Sequence, residues 1–103
     1  MVEQRERVLQ WIAEETRQGR AISAEDLARE FFPLLSPEAA CGRLKRLWAE
    51  RLIVPVLFRS ASFRYRLRPG ETLRGLRFRL APRGEERLQW YRQQRGGSGG
   101  WFS

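Results

Sequence analysis

The 103-residue sequence has no histidine, one cysteine (Cys41), and one lysine (Lys45) among its 20 basic side chains. With no imidazole and a single thiol, one chain cannot assemble a disulfide framework, a zinc ligand set or a Cys/His nucleophile pair. No apolar run approaches the ~20 residues needed to cross a bilayer, and the acid-bearing start "MVEQRERVLQ" is unlike a signal or transit peptide. The expectation is a cytoplasmic protein with no cofactor and no metal. Catalysis is not expected either. "PGETLRG" lacks the spacing and the lysine of a phosphate-cradling loop, and no carboxylate pair stands apart from the acids on helix surfaces. Repeats at solenoid period are also missing.

What is present is apolar surface and positive charge. Hydrophobic residues make up 42% of the chain and aromatics 12%, with four Trp and six Phe, enough to offset the entropy of ordering in one domain of this length. The net charge is +8, unevenly spread. Residues 1–41 hold 5 basic and 8 acidic side chains (net −3), while residues 42–103 hold 15 basic and 4 acidic (net +11). One part of the chain therefore carries a positive field suited to an anionic partner.

Between Glu3 and Gln18, Val8, Leu9, Trp11 and Ile12 fall on one side of a 3.6-residue period, and Gly19 ends this first helix. Ser23 with Asp26 makes a capping box, Ile22 and Leu27 are spaced as a hydrophobic staple, and a second helix runs from Ala24 until Pro33 stops it. Ser36 followed by Pro37 starts a third helix, reaching to about Glu50, with Ala40, Leu44, Leu47 and Trp48 inward and Cys41 at the margin of the core. The pattern then turns to period two. Residues 52–58 and 62–67 read as strands joined around Arg59 to Ser62, "LRFRL" as a third strand after the loop "RPGETLRG", and residues 82–94 as a last helix. The domain is expected to span residues 1–95, with residues 96–103 a flexible Gly/Ser-rich tail that has an aromatic tip.

Three helices followed by a β-hairpin, with a tight helix-turn-helix in the middle, resemble the winged helix-turn-helix class. "SPEAACGRLKRLWAERLIVPV" resembles the recognition helix and first wing strand of bacterial regulators of the MarR, PadR and ArsR kinds, and "FRLAPRGEERL" resembles the segment those families place after the wing. The resemblance covers about residues 3–95. It implies an α+β winged-helix fold and a double-stranded DNA-binding transcriptional regulator acting as a homodimer. One departure is Arg51, which stands where those families commonly have glycine. An L-residue with positive φ costs on the order of 1 kcal/mol there, so a different helix end is expected.

On the third helix, Ala39, Gly42, Arg43, Arg46 and Glu50 lie opposite the leucines, with Lys45 at the flank. The small residues suit close approach to a groove floor, and Arg43 and Arg46 are long enough to reach guanine or phosphate. Ser36 and the free N–H groups of that helix start are candidates to hold a phosphate oxygen. Glu38 and Glu50 oppose this reading.

The strands add a comb of guanidinium groups. Arg64, Arg66 and Arg68 alternate with Phe63, Tyr65 and Leu67, and Arg77 and Arg79 with Phe78 and Leu80, so aromatics face the core and arginines the other side. That segregation favours phosphate tracking along a duplex over base stacking on a single strand. Few acids, only Glu71, Glu85 and Glu86, are available to relieve the repulsion. The candidate DNA contacts are therefore Ser36, Ala39, Gly42, Arg43, Lys45 and Arg46 on the helix, and Arg59, Arg64, Arg66, Arg68, Arg77 and Arg79 on the wing. Leu88, Trp90 and Tyr91, with Trp11 as a further candidate, form a candidate dimer surface, the alternative being that the last helix packs on its own domain. Two other readings stand beside this one: a winged-helix module docking on an acidic protein surface, and recognition of duplex RNA by shape.

Overall fold

The computed structural model describes the backbone of residues 4–57, 60, 61, 67 and 69–100, and their side chains except for 60, 61 and 95–100. It is an α+β arrangement of four helices and a small antiparallel sheet: α1 (Gln4–Arg17), α2 (Ala24–Glu30), α3 (Pro37–Ala49), β1 (Ile53–Leu57), β2 (Ser60–Ala61), β3 (Arg77–Leu80) and α4 (Pro82–Gly100). No described helix is long and apolar enough to cross a membrane.

The helix starts follow the local chemistry. Ser23 Oγ accepts from Asp26 N while an Asp26 carboxylate oxygen accepts from Ser23 N, closing the capping box. Ile22 and Leu27, the staple pair, are both in the core. Ser36 caps α3 by accepting from Ala39 N at 3.1 Å, with Pro37 as the first helical residue. Gly19 closes α1 with φ +79°.

The end of α3 corrects one expectation. Arg51 adopts the left-handed conformation that glycine would supply, with φ 62°. Its N–H donates to Trp48 O and the next N–H, of Leu52, to Leu47 O, both at 2.9 Å, a Schellman closure. The hydrophobic contact that accompanies such a closure is also in place, because Leu47 and Leu52 are fully buried. Burial of Leu52 holds Arg51 in a conformation that its own side chain disfavours.

The sheet order is β2-β1-β3. β1 pairs with β3 over four residues, Ile53↔Leu80 to Val56↔Arg77, and, among the described residues, with β2 at Val56↔Ala61 and Leu57↔Ser60. Ser60 and Ala61, which the sequence reading gave to the turn around 59–62, are thus strand residues paired with β1. β3, separated from β1 by some twenty residues of sequence, has the longer pairing with it among the described residues. A single antiparallel bridge, Ile22↔Phe78, adds the α1–α2 connection to the outer side of β3. The loop before β3 is not empty of structure: residues 73–75 form a 3-10 turn that sends Leu73 and Leu76 into the core.

The core fills the space between the helices and the sheet, with Val8, Leu9 and Ile12 from α1, Leu27 from α2, Ala40, Leu44 and Leu47 from α3, and Phe78 from β3. Trp48 closes one side edge-on to Phe78, with ring centroids 5.6 Å apart, and Cys41 is a half-buried residue at the margin. Leu67, expected inward, is 41% exposed. α4 runs six residues past its expected end, so the backbone through Gly100 is helical where a linker was expected. No proline follows Pro82 to interrupt it, and each further residue can add a backbone hydrogen bond.

α4 starts on the Leu52 carbonyl, which accepts from Ala81 N at 3.0 Å. Gly84, in the first turn, is pressed against the same group: a Cβ there would run into Leu52 O and come within 2.7 Å of Leu80 Cδ1. Gly84→Ala is expected to cost about 1–3 kcal/mol by overpacking. Arg51→Gly should stabilise by about 1 kcal/mol by relieving the left-handed residue. Urea denaturation of both variants checks the pair, with opposite shifts of midpoint at unchanged slope.

Candidate nucleic-acid interface

α3 is the element with which the candidate contacts begin. Its inward stripe is as expected, Ala40, Leu44 and Leu47 being fully buried, but the opposite face is rotated from the sequence reading. The exposed residues are Glu38, Ala39, Gly42, Lys45, Arg46 and Ala49, whereas Arg43 and Glu50 are half-buried at the edge facing α1. The first turn of α1 explains this. Arg43 Nη2 donates to Gln4 Oε1 at 2.7 Å, and Arg5 forms an ion pair with Glu50. Arg43 is therefore held to α1 rather than free on the outer face, and the negative charge of Glu50 is matched. Both acids had opposed a DNA reading; Glu38 alone remains on the open face.

The start of α3 offers less to an anion than its sequence suggests. Pro37 has no N–H, Ala39 N donates to Ser36 Oγ, and Ala40 N donates to Ser36 O at 2.8 Å. Of the first four helical residues only Glu38 has an N–H without a partner among the described residues. The Ser36 hydroxyl is exposed and keeps its proton for donation.

On the sheet, Arg77 and Arg79 are exposed and Phe78 between them is fully buried, the alternation expected of β3. Arg77 is not an isolated cation, however. Its Nη1 lies 3.5 Å from Asp26 Oδ2 and donates to Ala21 O at 3.3 Å. The Ile22↔Phe78 bridge brings the capping box of α2 beside β3, so the aspartate that starts the helix also relieves the arginine. Arg79 shares a shallow depression with Thr16, Arg17 and Glu85, and Arg17 lies 3.7 Å from Glu85. Arg59, Arg64, Arg66 and Arg68, the larger part of the comb, lie outside the described residues, as do Phe63 and Tyr65.

The candidate dimer surface is corrected. Leu88 is 2% exposed and Tyr91 9%, both inside the chain's own core, because α4 lays them against α1. Trp90 alone of the three is exposed, with its ring edge-on to Tyr91 at 5.2 Å.

Gln4, Arg5 and Asp26 are the residues that sequence reading missed as part of this surface. The capping box marked Asp26 as a helix start, but no spacing rule links it to residue 77, or residues 4 and 5 to positions 43 and 50. Among the described residues no group of His, Cys, Asp and Glu is arranged to hold a metal ion. Comparison of the chain with protein-family models, with curated proteins and with solved structures returns no match.

If α1 restrains Arg43 and neutralises Glu50, removing Arg5 should expose the carboxylate on this face. Arg5→Ala is expected to change stability by at most about 1 kcal/mol, as for other partly exposed pairs. If this face takes duplex DNA, Arg5→Ala should weaken binding, Glu50→Ala should leave it equal or stronger, and the double variant should recover affinity over Arg5→Ala. Fluorescence anisotropy with one labelled duplex measures all three.

Proposed function

We propose that the chain is a winged-helix protein that binds double-stranded DNA as a transcriptional regulator, with α3 in the major groove and the arginine-bearing strands along the phosphate backbone. The observation that carries the reading is the exposed face of α3. It combines small residues at its centre, Ala39 and Gly42, with the two free-reaching cations Lys45 and Arg46, and leaves a single acid, Glu38. Small residues let a helix approach a groove floor closely, and the long cations reach base edges or phosphate.

The element order supports the winged-helix part of the reading. A helix, a one-residue bridge to the last strand, two further helices, and then an antiparallel pair β1–β3 follow in the sequence such a fold requires. The strong positive balance of residues 42–103 supplies the attraction to a polyanion. In this account base choice belongs chiefly to Arg46 and Lys45, because Arg43 has Gln4 as its partner.

A second reading has one observation in its favour. Ala39, Gly42 and Ala49 make the outer face of α3 small along its length, which also suits close packing against a helix of a protein partner, including one with an acidic surface.

A salt titration of binding to random duplex DNA separates the two. With five or more phosphate contacts, log K against log salt should fall with a slope steeper than about −4. Arg46→Ala should relax preference among duplexes selected from a random pool, losing about 1–3 kcal/mol of discrimination at the affected base pair. Absent binding, or binding indifferent to salt, would exclude the DNA reading and leave the protein-docking one.

A further inference from the structure

The chain carries an apolar groove that the DNA reading does not use. It lies between α1 and the turn from α2 to α3, has a volume of about 560 Å³, and is lined by Trp11, Phe31, Phe32 and Leu34. Trp11 and Phe31 meet edge-on at 6.1 Å and form a half-buried floor. Phe32 and Leu34 stand at its rim, 79% and 65% exposed, the two most exposed large apolar side chains among the described residues. Two such neighbours beside an open aromatic floor form a contiguous apolar patch, the kind of surface that marks an interaction site.

The polar groups around the groove indicate what covers it. Gln10 donates to Glu6, and Glu14 accepts from Arg17 and Gln18, so these are satisfied within the chain. Arg7 on α1 and Glu30 at the end of α2 also line the groove, are exposed, and have no partner among the described residues. They carry opposite charges and belong to the two elements that bound the groove, α1 and the end of α2. In a two-fold arrangement a residue i that meets j is repeated as j meeting i, so such a surface is complementary to itself.

We infer that this groove is the interface of a homodimer, in which Phe32 of each copy enters the groove of the other and each Arg7 faces the partner's Glu30. The surface expected for pairing from the sequence is largely consumed in the core, since Leu88 and Tyr91 are buried, which leaves this patch as the more extensive apolar face. Four apolar side chains line the groove, few beside the roughly 20–30 residues a side of a standard interface, so the dimer is a concentration-dependent one. This inference does not depend on DNA binding.

Sedimentation equilibrium of the full chain from micromolar to millimolar concentration tests it. The wild type should show a monomer–dimer equilibrium, and the Phe32→Ser/Leu34→Ser variant, altered only at exposed positions, should remain monomeric with unchanged circular dichroism. Arg7→Glu and Glu30→Arg should each raise the dissociation constant at least about tenfold, since every change occurs twice per dimer. The doubly reversed Arg7→Glu/Glu30→Arg chain should return toward wild type. A wild type that stays monomeric throughout overturns the proposal and leaves a different protein as occupant. A dimer that survives the serine variant, or a reversed pair that fails to recover, overturns it as well.

Discussion

The peptide units on either side of Leu52 are the joint on which the other elements depend. The Leu52 N–H closes α3 by donating to Leu47 O, and its C=O receives Ala81 N at the foot of α4. Its side chain is fully buried, and β1 begins at the next residue. The direction in which the chain leaves α3, the start of the sheet and the docking of the last helix are therefore set together. This over-determination explains two choices of residue. Arg51 tolerates a left-handed φ because its neighbours leave it no alternative, and Gly84 is required because α4 lies directly on the Leu52 carbonyl.

A second level of organisation is electrostatic, and it makes the uneven charge of the sequence more local than it first looks. The acid-rich first part does not only offset the basic remainder; it reaches into it at particular points. Asp26 takes Arg77 and Gln4 holds Arg43, while in the reverse sense Arg5 engages Glu50 and Arg17 lies beside Glu85. Partly exposed pairs of this kind contribute little stability each, about 0–1 kcal/mol. What they do is remove some cations from the pool that faces solvent and leave others, notably Lys45 and Arg46, open. A count of arginines therefore overstates the number available to a partner.

The fold was legible in the sequence wherever a local rule decides the outcome. Ser23 with Asp26, Ser36 with Pro37, Gly19, and the alternation around Phe78 each act over a few residues, and each is realised in the structure. What was illegible depends on contacts between distant segments. A helical wheel gives the angles between residues of α3 but not which side α1 approaches from, so Arg43 and Glu50 were placed on the open face. Likewise the period of α4 groups Leu88 with Tyr91, but not whether that side meets its own core or another copy. The pairing of β1 with β3 is again a long-range choice, and Leu73 and Leu76 help to make it by anchoring part of the intervening loop in the core.

The helix start of α3 shows how local and distant demands compete for the same groups. An unoccupied helix N-terminus attracts anions because its N–H groups lack partners and the helix dipole is positive there. In this chain the features that make α3 begin cleanly also consume that capacity. The proline removes one donor, the Ser36 cap takes a second, and the Ser36 carbonyl takes a third. Glu38 then adds a negative charge in the first turn, where it is favourable for the helix and unfavourable for phosphate. Strong capping and strong anion capture are thus alternatives at this position, and the sequence has taken the first. The cations of this surface lie further along the helix instead, where Lys45 and Arg46 extend from a face that Ala39, Gly42 and Ala49 keep small around them.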